Sequence, residues 1–129
     1  MNHSEKRPNN SVNIDLAYLR EFSGGDHTFI REIIETFLDE APPNINKLRE
    51  GANQSDWDTV YKMAHQLKPN YMMLGMKAQQ STALTVEQAA KKGGNETEIQ
   101  KLVDQLVEDT HAAFPMLRSE LEGLGQKKG

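Results

Sequence analysis

The sequence contains no cysteine, which excludes disulfide bridges and thiolate metal sites. Aromatic residues make up only 6% of the chain, so the core is predicted to be thin and regular. No segment alternates β-branched and aromatic residues with polar ones, so no β-sheet is predicted. Apolar runs are at most a few residues long, and no segment is therefore predicted to span a membrane.

The sequence also lacks a basic cluster. The 15 lysine and arginine residues are outnumbered by 19 acidic residues, and the formal net charge is -4. Without a basic cluster, the chain lacks the electrostatic footprint of a nucleic-acid-binding protein. Residues 1–11 are polar and show neither a hydrophobic signal region nor apolar periodicity. They are predicted to form a flexible N-terminal arm, and the protein is predicted to be cytoplasmic.

The residues that are abundant favour helices. Alanine, leucine, glutamate, glutamine and lysine are common, and charged residues reach 26%. In four long stretches, apolar side chains recur at steps of three and four residues, which is the spacing of one helix face. The predicted long helices are 26–51, kinked at Pro42 and Pro43; 55–74, opened by Ser55-Asp56-Trp57-Asp58 and ended by Gly75; 76–92; and 96–124, bent at Pro115.

These elements predict an all-α fold. Short glycine-containing turns join the long helices and favour antiparallel neighbours, so we expect an antiparallel four-helix bundle. A short additional N-terminal helix is predicted at 12–22, within a bundle domain at 12–124. Residues 125–129 are predicted to form a flexible tail. Every long apolar stripe is used within one bundle, so the protein is predicted to be a monomer.

The central predicted helix places a histidine outside its apolar face. Each helical residue turns by about 100°, which puts His65 about 120° from the centre of the apolar stripe. Lys68 lies nearer the core boundary on the same flank, and a spacing of three residues makes the two side chains neighbours. A lone surface histidine most often has no special role, but exposed methionines nearby suggest a surface that contacts a partner. The residues considered for this surface are Lys62, Pro69, Met72 and Met73.

The segment Ala64-His65-x-Leu67-Lys68, followed by Leu74-Gly75, resembles the histidine-containing phosphotransfer (HPt) domains of multistep phosphorelays. The resemblance covers roughly residues 13–121. Its further matching segments are Ile14-Asp15-Leu16-x-Tyr18-Leu19, Gly24-Gly25-Asp26, Phe37-Leu38 and Asp56-Trp57.

This resemblance implies that His65 is a phosphoacceptor. It would take a phosphoryl group from the aspartate of a receiver domain and pass it to another receiver, with Nε2 as the attacking atom. The implied role of Lys68 is to offset part of the phosphate charge. The Mg²⁺ ion that assists the reaction would belong to the receiver, so no cofactor or metal is expected in this chain.

The predicted hairpin also indicates which residues of the next helix lie near His65. Reflecting the predicted hairpin about Gly75 brings four residues of the next helix opposite His65, as candidates for a second phosphate contact. Among them Gln88 and Lys91 are favoured by their chemistry over Thr85 and Glu87.

The common family motif also has glycine directly after the lysine, where this sequence has Pro69. Proline removes a backbone N–H and adds bulk at the point where a receiver would approach.

The expected partners are response-regulator receiver domains and a hybrid sensor histidine kinase. No glycine-rich ATP-binding motif is present, so the chain is predicted to be a phosphocarrier without kinase activity of its own. An alternative is an adaptor bundle that binds receiver or kinase domains and is never phosphorylated. A metal-binding bundle is disfavoured, because no two histidines are four residues apart and carboxylate–histidine motifs are not found on facing helices. The four histidines are His3, His27, His65 and His111.

Overall fold

The computed structural model describes residues 12–128 of the chain, with side chains as far as Leu124. This part of the chain is helical and contains no β-strand, which confirms the predicted all-α class. The predicted N-terminal arm at 1–11 lies outside the described residues, as does residue 129. The elements are α1 (Ala17–Ser23), α2 (His27–Asn53), α3 (Trp57–Met73), α4 (Lys77–Lys92) and α5 (Glu96–Lys128).

The four long helices form the predicted bundle. Helix α3 packs most extensively on α4, α2 packs on both α3 and α5, and α4 packs on α5, which closes the ring of four. Helix α1 packs only on α2 among the larger contacts. Helix α5 continues to Lys128, beyond the position where the sequence predicted a tail. None of the helices in the described residues is both long and apolar enough to cross a membrane.

Helix α2 begins where it was predicted to begin and ends later. The Asp26 carboxylate accepts hydrogen bonds from the backbone N–H groups of Thr28 and Phe29, at 2.9 and 3.4 Å. Gly51, the predicted end, lies inside the helix. A Cβ atom there would lie 3.1 Å from Cγ2 of Thr59, so this glycine lets α2 approach α3 closely. The prediction that Gly51 ends α2 was wrong, because the sequence alone does not show that α3 packs closely against this position.

The chain before α1 is tied to the end of α3. The helix begins at Ala17, within the segment predicted at 12–22, and the residues before it are not helical. The backbone N–H of Asp15 donates a hydrogen bond to the carbonyl of Leu74, at 3.0 Å. Gly75 follows with a φ of 69°, and a Cβ there would collide with the backbone oxygen of Asp15. The turn after α3 therefore needs glycine both for its conformation and for this approach.

The rotation of α3 about its axis is fixed by four buried side chains. They are Val60, Ala64, Leu67 and Tyr71. The helix is capped by Asp56, which accepts a hydrogen bond from the Thr59 N–H at 3.3 Å. Ser55 precedes the cap with a φ of 57°, so the predicted capping box starts one residue too early.

Candidate functional site

His65 projects from α3 beside α4. Its side chain is 62% exposed. The ring of Tyr61, one turn earlier, stacks on the imidazole with a centroid separation of 6.0 Å and an interplanar angle of 16°. On the α4 side, Nδ1 of His65 lies 2.8 Å from Oε2 of Glu87. The imidazole is therefore held at one nitrogen and on one face while most of the side chain stays in solvent.

Glu87 joins the two residues that the sequence singled out on α3. It is a buried residue of α4, with 8% of its surface exposed. While Oε2 contacts His65, Oε1 accepts a hydrogen bond from Nζ of Lys68 at 2.7 Å. The Lys68 side chain is 26% exposed, so this ion pair is partly shielded from solvent. The carboxylate thus bridges an imidazole and an ammonium that lie one turn apart on the facing helix.

The charge on Glu87 decides which ring nitrogen of His65 is available for chemistry. Burial alone would raise the pKa of the Glu87 carboxyl, but the hydrogen bonds from Lys68 and then from His65 outweigh it and hold this pKa below its ordinary value. The ionised carboxylate can only accept hydrogen bonds. We therefore assign the ring proton to Nδ1, which donates it to Oε2. In a neutral ring this leaves the lone pair on Nε2.

The other α3 residues that were predicted to contact a partner differ in their exposure to solvent. Pro69 and Met72 are exposed, and 41% of the Met72 surface is accessible. Lys62 is also exposed and pairs with Asp58 at 3.1 Å. Met73 is instead partly buried and packs against the core. Helix α3 runs through Pro69 without interruption.

Met73 also borders a groove between α2 and α3 that the sequence did not reveal. Ile33 and Phe37 of α2 supply apolar walls to this groove, and Asn70 of α3 also lines it. The remaining lining residues are Thr36, Glu40 and Leu74. The groove therefore extends the exposed surface of α3 toward α2.

On α4, Gln88 and Lys91 were favoured as contacts to a phosphoryl group, and that role stays a prediction. Gln88 is exposed. Nζ of Lys91 lies 5.9 Å from the centroid of the Tyr61 ring, so it approaches the site through the residue that stacks on His65. Glu87, a candidate that was not favoured, makes the direct contacts with His65 and Lys68. The available signal was its position four residues after Ala83 and three before Ala90, on the buried face of α4.

The described residues do not group three histidine, cysteine, aspartate or glutamate side chains as a metal site would. The arrangement at His65 is instead one imidazole, one carboxylate and one ammonium. Such a set can hold an imidazole in one tautomer and place a cation beside a bound anion.

Residues 32–126 match the family model described as the Hpt domain, which covers well over half of the chain. The matched segment contains His65, Lys68 and Glu87 together with all of α3 and α4. No curated protein and no solved structure matches the chain.

Proposed function

The chain belongs to the Hpt domain family, whose members have a phosphotransfer role in phosphorelays, and from this premise we propose that His65 is the residue that carries the phosphoryl group. It accepts the group from the aspartate of one receiver domain and passes it to another. The observation that supports this assignment is the exposed imidazole of His65, held through Nδ1 by the buried carboxylate of Glu87 at 2.8 Å.

In the proposed step, the lone pair of Nε2 attacks the phosphorus atom of the receiver's aspartyl phosphate in line with the bond that breaks. The Nε2–P bond forms, and the aspartate oxygen leaves with the bonding electrons as a carboxylate. The reverse step returns the phosphoryl group to the aspartate of a second receiver. The Mg²⁺ ion that offsets the charge of the phosphate belongs to the receiver in this proposal.

Lys68 supplies a positive charge one helical turn from the phosphorylated nitrogen. Its ammonium is held by Glu87 at 2.7 Å, and its side chain is partly exposed. A flexible lysine in this position can turn toward a phosphoryl group on His65 without leaving its helix. Lys68 therefore stabilises the phosphorylated state by offsetting its added negative charge.

The receiver is proposed to dock on the surface around His65. Pro69 and Met72 are exposed there, and Met73 connects them to the groove between α2 and α3. A surface with exposed and half-buried apolar side chains beside a reactive group suits a transient protein partner. Lys62 adds a charge at the edge of this surface. A hybrid sensor histidine kinase would be the source of the first receiver.

The experiment that tests this function mixes the protein with a receiver domain carrying a radiolabelled aspartyl phosphate. We expect acid-labile, base-stable label to appear on the wild-type protein and not on His65→Gln. His111→Gln is the matched control, because His111 is an exposed histidine on α5, and it should still take up label. Label on the His65→Gln variant would contradict the assignment. Receiver binding without any transfer would favour an adaptor that is not phosphorylated.

A further inference from the structure

We propose that Glu87 keeps the proton on Nδ1 of His65 throughout phosphoryl transfer, so that exchange between the neutral imidazole ring and a receiver aspartate neither releases nor takes up a proton. This inference rests on the proposed function of His65 and concerns a residue that contacts only the far nitrogen of the ring. Glu87 is therefore a positioning residue, because it acts through His65 and not on the phosphoryl group.

The contacts of Glu87 leave its carboxylate little freedom. Each oxygen has its own partner, with Nδ1 of His65 at 2.8 Å from one and Nζ of Lys68 at 2.7 Å from the other. The residue is buried, and the Tyr61 ring stacks on the imidazole and restricts its rotation. A nearly buried carboxylate fixed at hydrogen-bond distance strongly favours a proton on the nitrogen that faces it.

The other charged groups around the imidazole do not compete for this proton. Lys68 is a donor only, and it is bound to the same carboxylate. Lys91 of α4 lies over the Tyr61 ring. Asp58 and Lys62, further along α3, pair with each other at 3.1 Å in solvent. Glu87 is thus the only carboxylate hydrogen-bonded to His65 among the described residues.

The charge balance of the transfer shows what this contact changes. Attack by Nε2 uses the lone pair of a neutral ring, so the phosphorylated ring carries a positive charge as long as Nδ1 keeps its proton. The negative charge of Glu87 stabilises this cationic ring. Without that charge, the ring would lose its Nδ1 proton to solvent after phosphorylation. The reaction would then release one proton for each phosphoryl group that His65 accepts.

The same proton matters when the phosphoryl group leaves. A ring that still carries Nδ1–H departs as neutral imidazole when the Nε2–P bond breaks. A deprotonated ring would have to depart as an imidazolate anion, which is a far poorer leaving group. Holding the proton therefore keeps His65 competent both as an acceptor and as a donor.

Glu87→Gln tests the inference because it preserves the size of the side chain and a hydrogen-bond acceptor but removes the charge. Wild type and variant are each equilibrated with the same phosphorylated receiver at several pH values. In wild type, over the pH range in which the unphosphorylated ring is neutral and up to about pH 9, the equilibrium constant for transfer to His65 should show no pH dependence beyond that of the receiver. In Glu87→Gln, it should rise toward roughly tenfold per pH unit, relative to wild type, because phosphorylation then releases a proton.

Glu108→Gln makes the same chemical change at an exposed position on α5 and should behave as wild type. A second measurement follows the ring directly, by ¹⁵N NMR of protein phosphorylated with phosphoramidate. The Nδ1 proton should persist across this pH range in phosphorylated wild type and be lost in phosphorylated Glu87→Gln.

A phosphorylated wild-type ring that loses its Nδ1 proton over the same pH range as the variant would overturn the inference. If Glu87→Gln does not fold, the wild-type titration alone still tests the inference. A phosphorylated wild-type ring that loses its Nδ1 proton in that range contradicts the proposal. If His65 takes up no phosphoryl group from either donor, the proposed function fails and this inference fails with it. If His65 is phosphorylated but wild type and Glu87→Gln show the same pH dependence, the inference fails while the proposed function stands.

Discussion

Oε2 of Glu87, on α4, lies 2.8 Å from Nδ1 of His65, on α3. This contact links the two helices that pack most extensively in the bundle, and it involves a buried acceptor and an exposed ring. Because the carboxylate is fixed by the bundle, the ring nitrogen that faces a partner is fixed as well. The packing of α3 on α4 thereby determines which nitrogen of the neutral His65 ring keeps its lone pair.

Removing the ammonium of Lys68 should slow phosphoryl transfer. In Lys68→Met, Glu87 keeps only His65 as a partner, and the phosphorylated ring loses a nearby positive charge. We expect the transfer rate to fall on the order of tenfold or more, since hydrogen bonds to charged groups contribute about 1.5–3 kcal/mol. Quenched-flow transfer from a labelled receiver measures this rate. Lys101→Met removes an exposed lysine of α5 and should leave it unchanged.

The lowered pKa of Glu87 predicts a pH dependence of stability. In the folded protein this carboxyl binds its proton less readily than in the unfolded chain, where the pKa has its ordinary value of 4.5. Its stabilising contribution is therefore fully present above that value and is lost as the pH falls through the lower, folded value. Urea denaturation should show wild type losing more stability than Glu87→Gln on acidification below about pH 4.5. Equal losses would mean that the carboxyl has the same pKa in both states.

A side chain at position 75 should destabilise the protein through a clash as well as through the backbone. Gly75 and Gly93 have nearly equal φ values, 69° and 72°. A Cβ at 75 would collide with Asp15, whereas a Cβ at 93 would meet nothing within 4 Å. Gly93→Ala therefore reports the backbone cost alone, on the order of 1 kcal/mol. Gly75→Ala should lose measurably more in thermal denaturation, and equal losses would show that Asp15 moves away freely.

Some positions in this site can be predicted from the periodicity of one helix, whereas others depend on how two helices pack. The outward position of His65 and the partial burial of Lys68 follow from helix periodicity, because buried residues on the same helix define its core face. The contact made by Glu87 depends on how α4 is rotated against α3. Reflection about Gly75 gives the level of a residue along the hairpin but not this rotation, and Gln88 and Lys91 were favoured for their chemistry alone.

Two features of the fold likewise depend on contacts that the sequence alone does not show. Gly51 was predicted to end α2, because glycine is a frequent helix stop, but its role depends on Thr59 of the neighbouring helix. Apolar spacing predicts a short helix within 12–22 but does not show that its first residue is Ala17. The preceding residues are instead held by the hydrogen bond from Asp15 to Leu74, a contact between distant parts of the sequence.

An acidic side chain at position 72 should weaken receiver binding. Met72 is 41% exposed on α3, and Met116 is 38% exposed on α5, so the two methionines form a matched pair. Met72→Glu should raise the Kd for a receiver domain roughly tenfold, which is typical of an important interface contact. Met116→Glu should leave it unchanged. Isothermal titration calorimetry distinguishes these outcomes, and equal effects would indicate a charge effect that does not depend on the proposed surface.

Replacing Pro69 should alter the approach of the receiver. Proline has no N–H, so the carbonyl of His65 lacks its partner in the helix, and the proline ring adds bulk on the exposed flank. Pro69→Gly restores the N–H and removes the ring, and we expect tighter receiver binding and faster transfer. Pro69→Ala restores the N–H but keeps a Cβ, so it separates the backbone effect from the steric one. If transfer rates and receiver affinity were the same in wild type and in both variants, Pro69 would have no part in docking.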